Sequence, residues 1–268
     1  MKIQRSPCRP RRRQHGLTLV EMTVTILIAL FLLAGLFTMV QSTRHAYTNQ
    51  TQLSQLQDSE RMAMSIMTDV IQSAGYYPNP AVNSAAVFTT GGSWVKVGQA
   101  LYGTSPGANL DTISVRFATQ PGDNIVNCLG NSNPLGSGID PDVYTNTFWL
   151  SAPDAAGNRT LTCTLFDAGT NTSTDVPLVY GVQSMQIYYG VQRSAPTDAN
   201  DNNVDTYLLG SEMQPSNPSG KNDWMYVSAV RVVLWFNNPL VPPSATAAAK
   251  TIKFERVIAV MNRTGANS

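Results

Sequence analysis

A single carboxylate lies within an apolar segment near the start of the chain. The segment runs from Leu17 to Val40, and Glu21 is its only charged residue. A charged side chain at the centre of a bilayer costs about 2.5–3.5 kcal/mol, so a carboxylate there indicates a function and a partner. If the chain is cut after Gly16, the new α-amine of Leu17 is mostly protonated at neutral pH. On a helix, Glu21 then lies about 6 Å along the axis from that ammonium group. Glu21 could pair with the amine of its own chain or with that of a neighbouring chain staggered by a few ångströms. The second pairing would fix the register of assembled helices.

Two cysteines, Cys128 and Cys163, remain after such a cut, because Cys8 precedes it. The basic N-terminal block predicts that the rest of the chain crosses a membrane into an oxidising compartment, where a Cys128–Cys163 disulfide is expected. Two free thiols are the alternative. A metal pair is a weaker alternative, because the only histidines are His15 and His45.

An Asp- and Asn-rich stretch at residues 197–207 carries oxygen ligands of the type that Ca²⁺ prefers. The candidate ligands are Asp198, Asn200, Asn202 and Asp205. The stretch lacks the Gly and the distal bidentate Glu of an EF-hand loop. A solvated turn is therefore the preferred interpretation, with calcium as the alternative, and no other metal or cofactor is expected.

Signatures of catalysis are missing from the sequence. It contains no P-loop, GxGxxG, HExxH or CxxC motif, and a single histidine outside the N-terminal block argues against nucleophilic triads. Asp140 and Asp142 form a carboxylate pair, but they lie in a loop with Pro and Gly where no apolar pocket is apparent. The sequence therefore predicts a protein that is not an enzyme.

The charge is distributed unevenly along the chain. Formal net charge is +1, with 18 basic and 17 acidic residues. Six basic residues and no acidic residue precede Gly16: Lys2, Arg5, Arg9, Arg11, Arg12 and Arg13. The remainder is net acidic, so no nucleic-acid-binding surface is predicted.

The elements that position Glu21 follow from the apolar pattern. The 24 residues from Leu17 to Val40 would span roughly 36 Å as a helix, enough to cross a hydrocarbon core of ~30 Å. The basic block predicts a cytoplasmic N-terminus. After Val40, apolar residues continue at helical spacing: Ala46, Leu53, Leu56, Ala63, Met67, Val70 and Ala74. We therefore predict one long helix, with Gly75 near its C-terminal end.

The rest of the chain is predicted to be β-rich. Alternating apolar residues and turn-rich connections predict strands at residues 112–118, 147–151, 160–166, 182–191, 226–236 and 252–261. The fold class is therefore α+β, a long helix packed on a β-rich head. The predicted divisions are a basic leader (1–16), a transmembrane or assembly half of the helix (17–41), an amphipathic half (42–77) and the head (78–268).

The N-terminal pattern resembles the signal of type IV prepilins and pseudopilins. The resemblance rests on "RRRQHG" at residues 11–16 and "LTLVEMTVTILIAL" at residues 17–30. It implies that a prepilin peptidase cuts between Gly16 and Leu17 and methylates the new amine of Leu17, and that Glu21 is the carboxylate that docks the subunit into the filament. The family usually has Phe where this chain has Leu17.

The order of apolar segments around the two cysteines is similar to that of PilW-type minor pilins. These segments include "DTISVRFA", "NCLGN", "TLTCTLF" and "ERVIAVMNR". The resemblance implies a pilin-like subunit in the inner membrane with a periplasmic head, later part of an extracellular pilus. The implied partners are the major pilin, other minor pilins and a tip adhesin. J-type pseudopilins of type II secretion are the first alternative. A membrane-tethered binding or hydrolytic head is the second.

Overall fold

The computed structural model describes the chain in several ranges, and every structural statement below refers to them. They are residues 16, 18–79, 87–134, 141–193, 203–216, 222–241, 244, 246 and 249–261. The chain divides into two compact units between Thr51 and Gln52. The first contains the N-terminal part of one helix. The second contains the C-terminal part of that helix and all the strands.

Helix α1 spans Leu19–Gln72, which is 54 residues. By length and composition it could cross a membrane. It ends five residues before the predicted position 77, because the chain there turns to run beside a strand. Gly75 takes a φ of +74° and donates its N–H to the carbonyl of Arg116 at 2.8 Å, and Tyr76 accepts from Ala118 N–H at 2.9 Å. Glycine adopts this φ without the steric cost that a side chain adds.

The C-terminal part of α1 buries an apolar stripe. Its buried residues are Ala63, Met64, Met67, Val70 and Ile71. Three of the predicted stripe residues lie there, and Ala74 is buried just beyond the helix. Met64 and Ile71 complete the stripe, while Leu53 and Leu56 are half-buried and Ala46 is exposed.

Within the described ranges, nine strands form two antiparallel sheets. The first sheet has the order β1-β2-β3-β4-β5, formed by Leu101–Thr104, Thr112–Thr119, Asp142–Leu150, Thr160–Asp167 and Thr172–Tyr180. The second has the order β7-β6-β8-β9, formed by Thr206–Leu209, Val182–Val191, Val227–Asn237 and Thr251–Ala259. The predicted α+β class is confirmed. The prediction missed β1, β5 and β7.

Both sheets and the end of α1 contribute to one hydrophobic core. Ile113, Val115 and Phe117 of β2 alternate toward it, as do Val230, Val232 and Leu234 of β8. The buried carboxylate of Asp111 links the sheets by accepting the N–H of Ile187 at 2.9 Å. Side chains on one face of each sheet are therefore used for the core. A binding site in the head can form on the opposite faces of the sheets.

Candidate functional site

The first turn of α1 holds Glu21. Thr18 precedes the helix, and its hydroxyl accepts the N–H of Glu21 at 3.3 Å, as an N-cap residue does. A carboxylate in the first turn also interacts favourably with the helix dipole. The sequence-based interpretation considered only the pairing of Glu21 with an amine, so this local reason for an acid was missed. Gly16 is exposed, and Leu17 lies outside the described residues.

The N-terminal part of α1 exposes its apolar side chains. Leu19 is 81% exposed and Phe31 is 82% exposed. In water such a continuous apolar surface marks a site that binds lipid or another apolar surface. The residues of this part therefore offer a surface for a membrane or for other helices.

The hydroxyls on this surface are bonded within the helix. Thr25 donates to the carbonyl of Glu21 at 2.6 Å, Thr38 to Gly35 at 2.8 Å and Thr43 to Met39 at 2.9 Å. A polar group that leaves water without a partner is costly, so these bonds lower the free-energy cost of transferring the threonines out of water. The polar threonines are therefore compatible with lipid and with a helical bundle.

The two cysteines of the head form the predicted disulfide. Cys128 and Cys163 are both buried, and their Cα atoms are 6.4 Å apart. The bond ties the segment before β3 to the middle of β4. A cross-link over 35 residues stabilises a fold by roughly 4 kcal/mol in the chain-entropy model. The disulfide therefore has a structural role in the head.

Two asparagines position the segment around Cys128. Asn146 of β3 accepts the N–H of Cys128 at 2.9 Å through its side-chain oxygen. The side-chain oxygen of Asn127 accepts from the N–H groups of Leu129 at 3.0 Å and Asn131 at 3.2 Å. Such side-chain turns are local signals that the sequence contains, but the interpretation did not use them.

The candidate calcium ligands are only partly described. Asp198, Asn200 and Asn202 lie outside the described residues. The carboxylate of Asp205 accepts the backbone N–H of Arg193, at 3.1 Å for each oxygen. Among the described residues, no group of three His, Cys, Asp or Glu side chains could hold a metal ion.

Arg193 also forms an ion pair that the sequence did not indicate. Its guanidinium contacts the buried carboxylate of Asp223 at 2.6 Å. The hydrogen bond to Asp223 is the main reason why the pKa of Arg193 is raised. The partners are 30 residues apart in sequence, so their pairing has no local signal.

Asp142 forms a carboxylate pair in the head, but its partner is Asp167 and not Asp140. Asp142 is 4% exposed, and its Oδ1 accepts the N–H of Gly169 at 2.8 Å. Asp167 Oδ1 accepts the same N–H at 2.9 Å. Asp140, the partner considered from the sequence, lies outside the described residues. Burial and then the neighbouring Asp167 raise the pKa of Asp142.

The surroundings of this pair explain its structural character. Tyr144 lies two residues after Asp142, and burial and the nearby carboxylates raise its pKa to about 12. The oxygens of both carboxylates accept backbone N–H groups at the start of β3 and after β4. The pair therefore orders the turn between β4 and β5 and the start of β3.

Two family models match the chain. One is described as a prokaryotic N-terminal methylation motif and matches residues 11–37. The other is described as type IV pilus-assembly protein W and matches residues 147–263. No curated protein matches the chain. The first match includes Gly16, Leu17 and Glu21, and the second extends from within β3 to beyond β9.

Proposed function

Because this chain is a PilW-type, type IV pilin-like protein, we propose that it primes pilus assembly and occupies a position at or near the filament tip. The coarser role, that of a type IV minor pilin, follows from the pilus-assembly match and the prepilin motif together. One observation carries the proposal that the helix of this protein enters a filament. The methylation motif leads directly into a helix that has an acid in its first turn and an exposed apolar surface.

In this proposal the protein is a substrate and performs no chemistry of its own. Prepilin peptidase cuts between Gly16 and Leu17 and methylates the amine of Leu17. Glu21 then meets the N-terminal ammonium of a neighbouring subunit in the helical bundle. An unpaired carboxylate is costly in the membrane. Transfer of Glu21 from lipid to a position beside an ammonium group therefore favours extraction of the helix.

Before assembly, the helix anchors the protein in the inner membrane with the head in the periplasm. The basic residues before Gly16 favour this orientation, since positively charged flanks stay in the cytoplasm. The Cys128–Cys163 disulfide is consistent with it, because disulfides persist in the periplasm and at the cell surface. After assembly the head is extracellular.

The partners proposed are prepilin peptidase, the major pilin, other minor pilins and a tip adhesin. The resulting pili would support adhesion, twitching motility or DNA uptake. A J-type subunit of type II secretion is the second candidate function. The match at residues 147–263 favours the pilus, because its description names pilus assembly.

The first experiment is an intact-mass measurement of the protein from cells with and without prepilin peptidase. We expect loss of residues 1–16 and a gain of one methyl group only when the peptidase is present. A protein that keeps these residues in both strains would contradict the pilin pathway.

A complementation assay then separates the two candidate functions. The gene is returned to a strain that lacks it, and surface pili and exported type II substrates are measured in the same cultures. Restored pili with unchanged export support the proposal. Restored export without pili would assign the protein to secretion.

A further inference from the structure

A cleft lies on the outer face of the first sheet. In β2, Ile113 and Val115 face the core, so Ser114 and Arg116 face the opposite side. The cleft has a volume of about 500 Å³ and is lined by these two residues, by hydroxyls of β3 and by the segment that carries Trp94. Neither family match includes its Arg116 or Trp94.

Arg116 is buried on this outward face. It is 6% exposed, because the segment of residues 87–99 covers it. The guanidinium donates to the carbonyl of Gln99 through Nε at 3.1 Å and through Nη2, and to the carbonyl of Thr89 through Nη1 at 3.0 Å. The ring of Trp94 lies against it, with the ring centroid 3.8 Å from the guanidinium carbon.

These contacts leave part of the guanidinium available. Arginine has five N–H donors in a planar fork. The hydrogen bonds within the described residues use three of them, which leaves one N–H on each of the two terminal nitrogens. Two N–H groups on adjacent nitrogens are the number that a carboxylate needs for two parallel bonds.

The charge of Arg116 has no carboxylate partner in the described part of the chain. The ion pairs found there join Arg193 to Asp223 and Lys253 to Glu255. Burial lowers the pKa of Arg116 to about 10, whereas the pKa of Arg193 is raised by its carboxylate. A buried cation that contacts only carbonyl dipoles and aromatic rings is costly compared with one that also has an anion.

The hydroxyls beside Arg116 add a donor. Ser114 and Thr147 lie opposite each other on β2 and β3, with their oxygens 2.8 Å apart. One hydroxyl donates to the other, so the second keeps its own O–H for another acceptor. Thr145, opposite Arg116, lines the same cleft.

We propose that this cleft binds a carboxylate-bearing ligand. The two carboxylate oxygens accept N–H groups of Arg116 and the free O–H of the Ser114–Thr147 pair, and the body of the ligand packs against Trp94 and Tyr102. The carboxylate belongs either to a polypeptide, at an acidic side chain or a C-terminus, or to a free small molecule. The proposal does not depend on pilus assembly, so the two can fail separately.

The competing explanation is that Arg116 only ties the segment of residues 87–99 to β2. Its bonds to the carbonyls of Thr89 and Gln99 would do this without any ligand. Under that explanation, loss of Arg116 destabilises the head and the cleft binds no carboxylate. Binding and stability must therefore be measured separately.

The experiment uses the full chain in detergent micelles, with the ¹⁵N-labelled indole of Trp94 as the reporter. Sodium benzoate is the probe, and benzamide is the neutral probe of the same shape. Trp94→Phe identifies the reporting signal. We expect a saturable shift with benzoate and none with benzamide. No shift at millimolar concentrations, or equal shifts with both probes, would overturn the proposal.

Variants assign the binding to the cleft. Arg116→Gln and Arg116→Lys should each weaken benzoate binding at least about tenfold, because neither keeps the two-donor fork. Arg159→Gln is the matched control, since Arg159 also donates to a backbone carbonyl, that of Ser151, in the same head. It should leave the affinity unchanged. Unchanged affinity in a folded Arg116→Gln protein would overturn the proposal.

Thr147→Val keeps the proposal testable if the Arg116 variants do not fold. It retains the shape of the side chain and removes the bond to Ser114. Because the remaining serine hydroxyl can then donate to the ligand itself, the affinity should change by less than about threefold, whereas Ser114→Ala with Thr147→Val should weaken it more. An unaltered affinity in the double variant would contradict the role of the hydroxyl pair.

A second pair of probes distinguishes the two sources of carboxylate. A Gly-Gly-Phe tripeptide with a free C-terminus is compared with the same peptide as its C-terminal amide. Tighter binding of the free acid than of benzoate assigns the cleft to polypeptides. Equal or weaker binding of the peptide, with benzoate still bound, assigns it to small carboxylates.

Discussion

Met39 and Met64 lie on the same helix in opposite environments. Met39 is 70% exposed, whereas Met64 is fully buried in the core of the head. Around Met39, apolar residues occur on all sides of the helix; around Met64, they form a stripe with polar residues between them. The composition of the first part suits apolar surroundings on all sides, whereas that of the second part suits a helix with one face packed on the head.

This difference shows where each part gains its free energy. The second part gains free energy from packing within the chain, so substitutions there change the stability of the head. The first part obtains it only from lipid or from other subunits, so its effect is measured in cells, as anchoring and assembly. Substitutions of one residue type in the two parts should therefore change different measurements.

The largest expected effect is on assembly, from Glu21→Gln. The variant keeps the shape of the side chain and its place in the first turn, and it removes the charge that would pair with a neighbouring ammonium. Loss of one partner of a buried pair costs about 3–5 kcal/mol, a factor above about 100 in an equilibrium. We expect normal cleavage after Gly16 and near-complete loss of the protein from sheared pili, measured by immunoblot.

The control for this substitution is Glu60→Gln, on the same helix but in the part that belongs to the head unit. It should be cleaved and incorporated normally. Normal recovery of Glu21→Gln in sheared pili would mean that the carboxylate serves only the helix terminus.

The next effect is on stability, from Met67→Ala. Met67 is fully buried, and truncation of a buried Met to Ala costs about 2–5 kcal/mol. Met39→Ala is the matched control and should change the free energy of unfolding by less than about 0.5 kcal/mol. Urea unfolding followed by tryptophan fluorescence measures both, because all four tryptophans lie in the head. Equal destabilisation by the two variants would remove the distinction between the halves.

The sequence predicted the parts of the fold that have a local signal. Helix α1 follows from an apolar run and a stripe at helical spacing, and β6 was predicted at its observed bounds, Val182–Val191. Strand β5 was missed because its first residues are exposed and polar and because Pro177 reads as a turn. Proline is tolerated there because β5 is an edge strand paired through a bulge.

The site residues were predictable to the extent that their partners are near in sequence. Glu21 was selected because one charge in an apolar run is visible without a structure, and its role in assembly stays a prediction. Arg116 was missed because its partners are the backbone carbonyls of Thr89 and Gln99. Every residue has a backbone carbonyl, so residue types do not indicate such partners. Asp142 was paired with its sequence neighbour, whereas the sheet brings Asp167 to it.

A smaller effect on the head is expected from Asp142→Asn, as a dependence on pH. The folded state raises the pKa of Asp142, so it binds a proton more readily than the unfolded chain does. The associated stability is present below the pKa of the unfolded chain and is lost as pH rises through the higher pKa of the folded state. Asparagine keeps an oxygen for the N–H groups of Val143 and Gly169, and it removes both the burial of a charge and the repulsion by Asp167.

The variant should therefore match the original at acidic pH and exceed it at neutral pH. The expected gain is of order 1 kcal/mol, the repulsion of two charges about 4 Å apart in water. Urea unfolding at several pH values measures it. Asp175→Asn, an exposed control on β5, should show no such change. A gain that is the same at every pH would contradict the carboxylate repulsion.

The smallest expected effect is that of calcium, which tests whether the head depends on a ligand outside its own contacts. Asp205 already accepts the N–H of Arg193, and the loop lacks the bidentate Glu of strong sites, so we expect no change in the free energy of unfolding when Ca²⁺ replaces a chelator. A site with a Kd of about 1 mM would instead stabilise the head by about 1.4 kcal/mol at about 10 mM Ca²⁺. If that gain is absent with Mg²⁺ and lost in Asp198→Asn, the stretch is a calcium site and the interpretation as a solvated turn is wrong. It would also mean that the head, like the exposed part of α1, obtains part of its free energy from outside the chain.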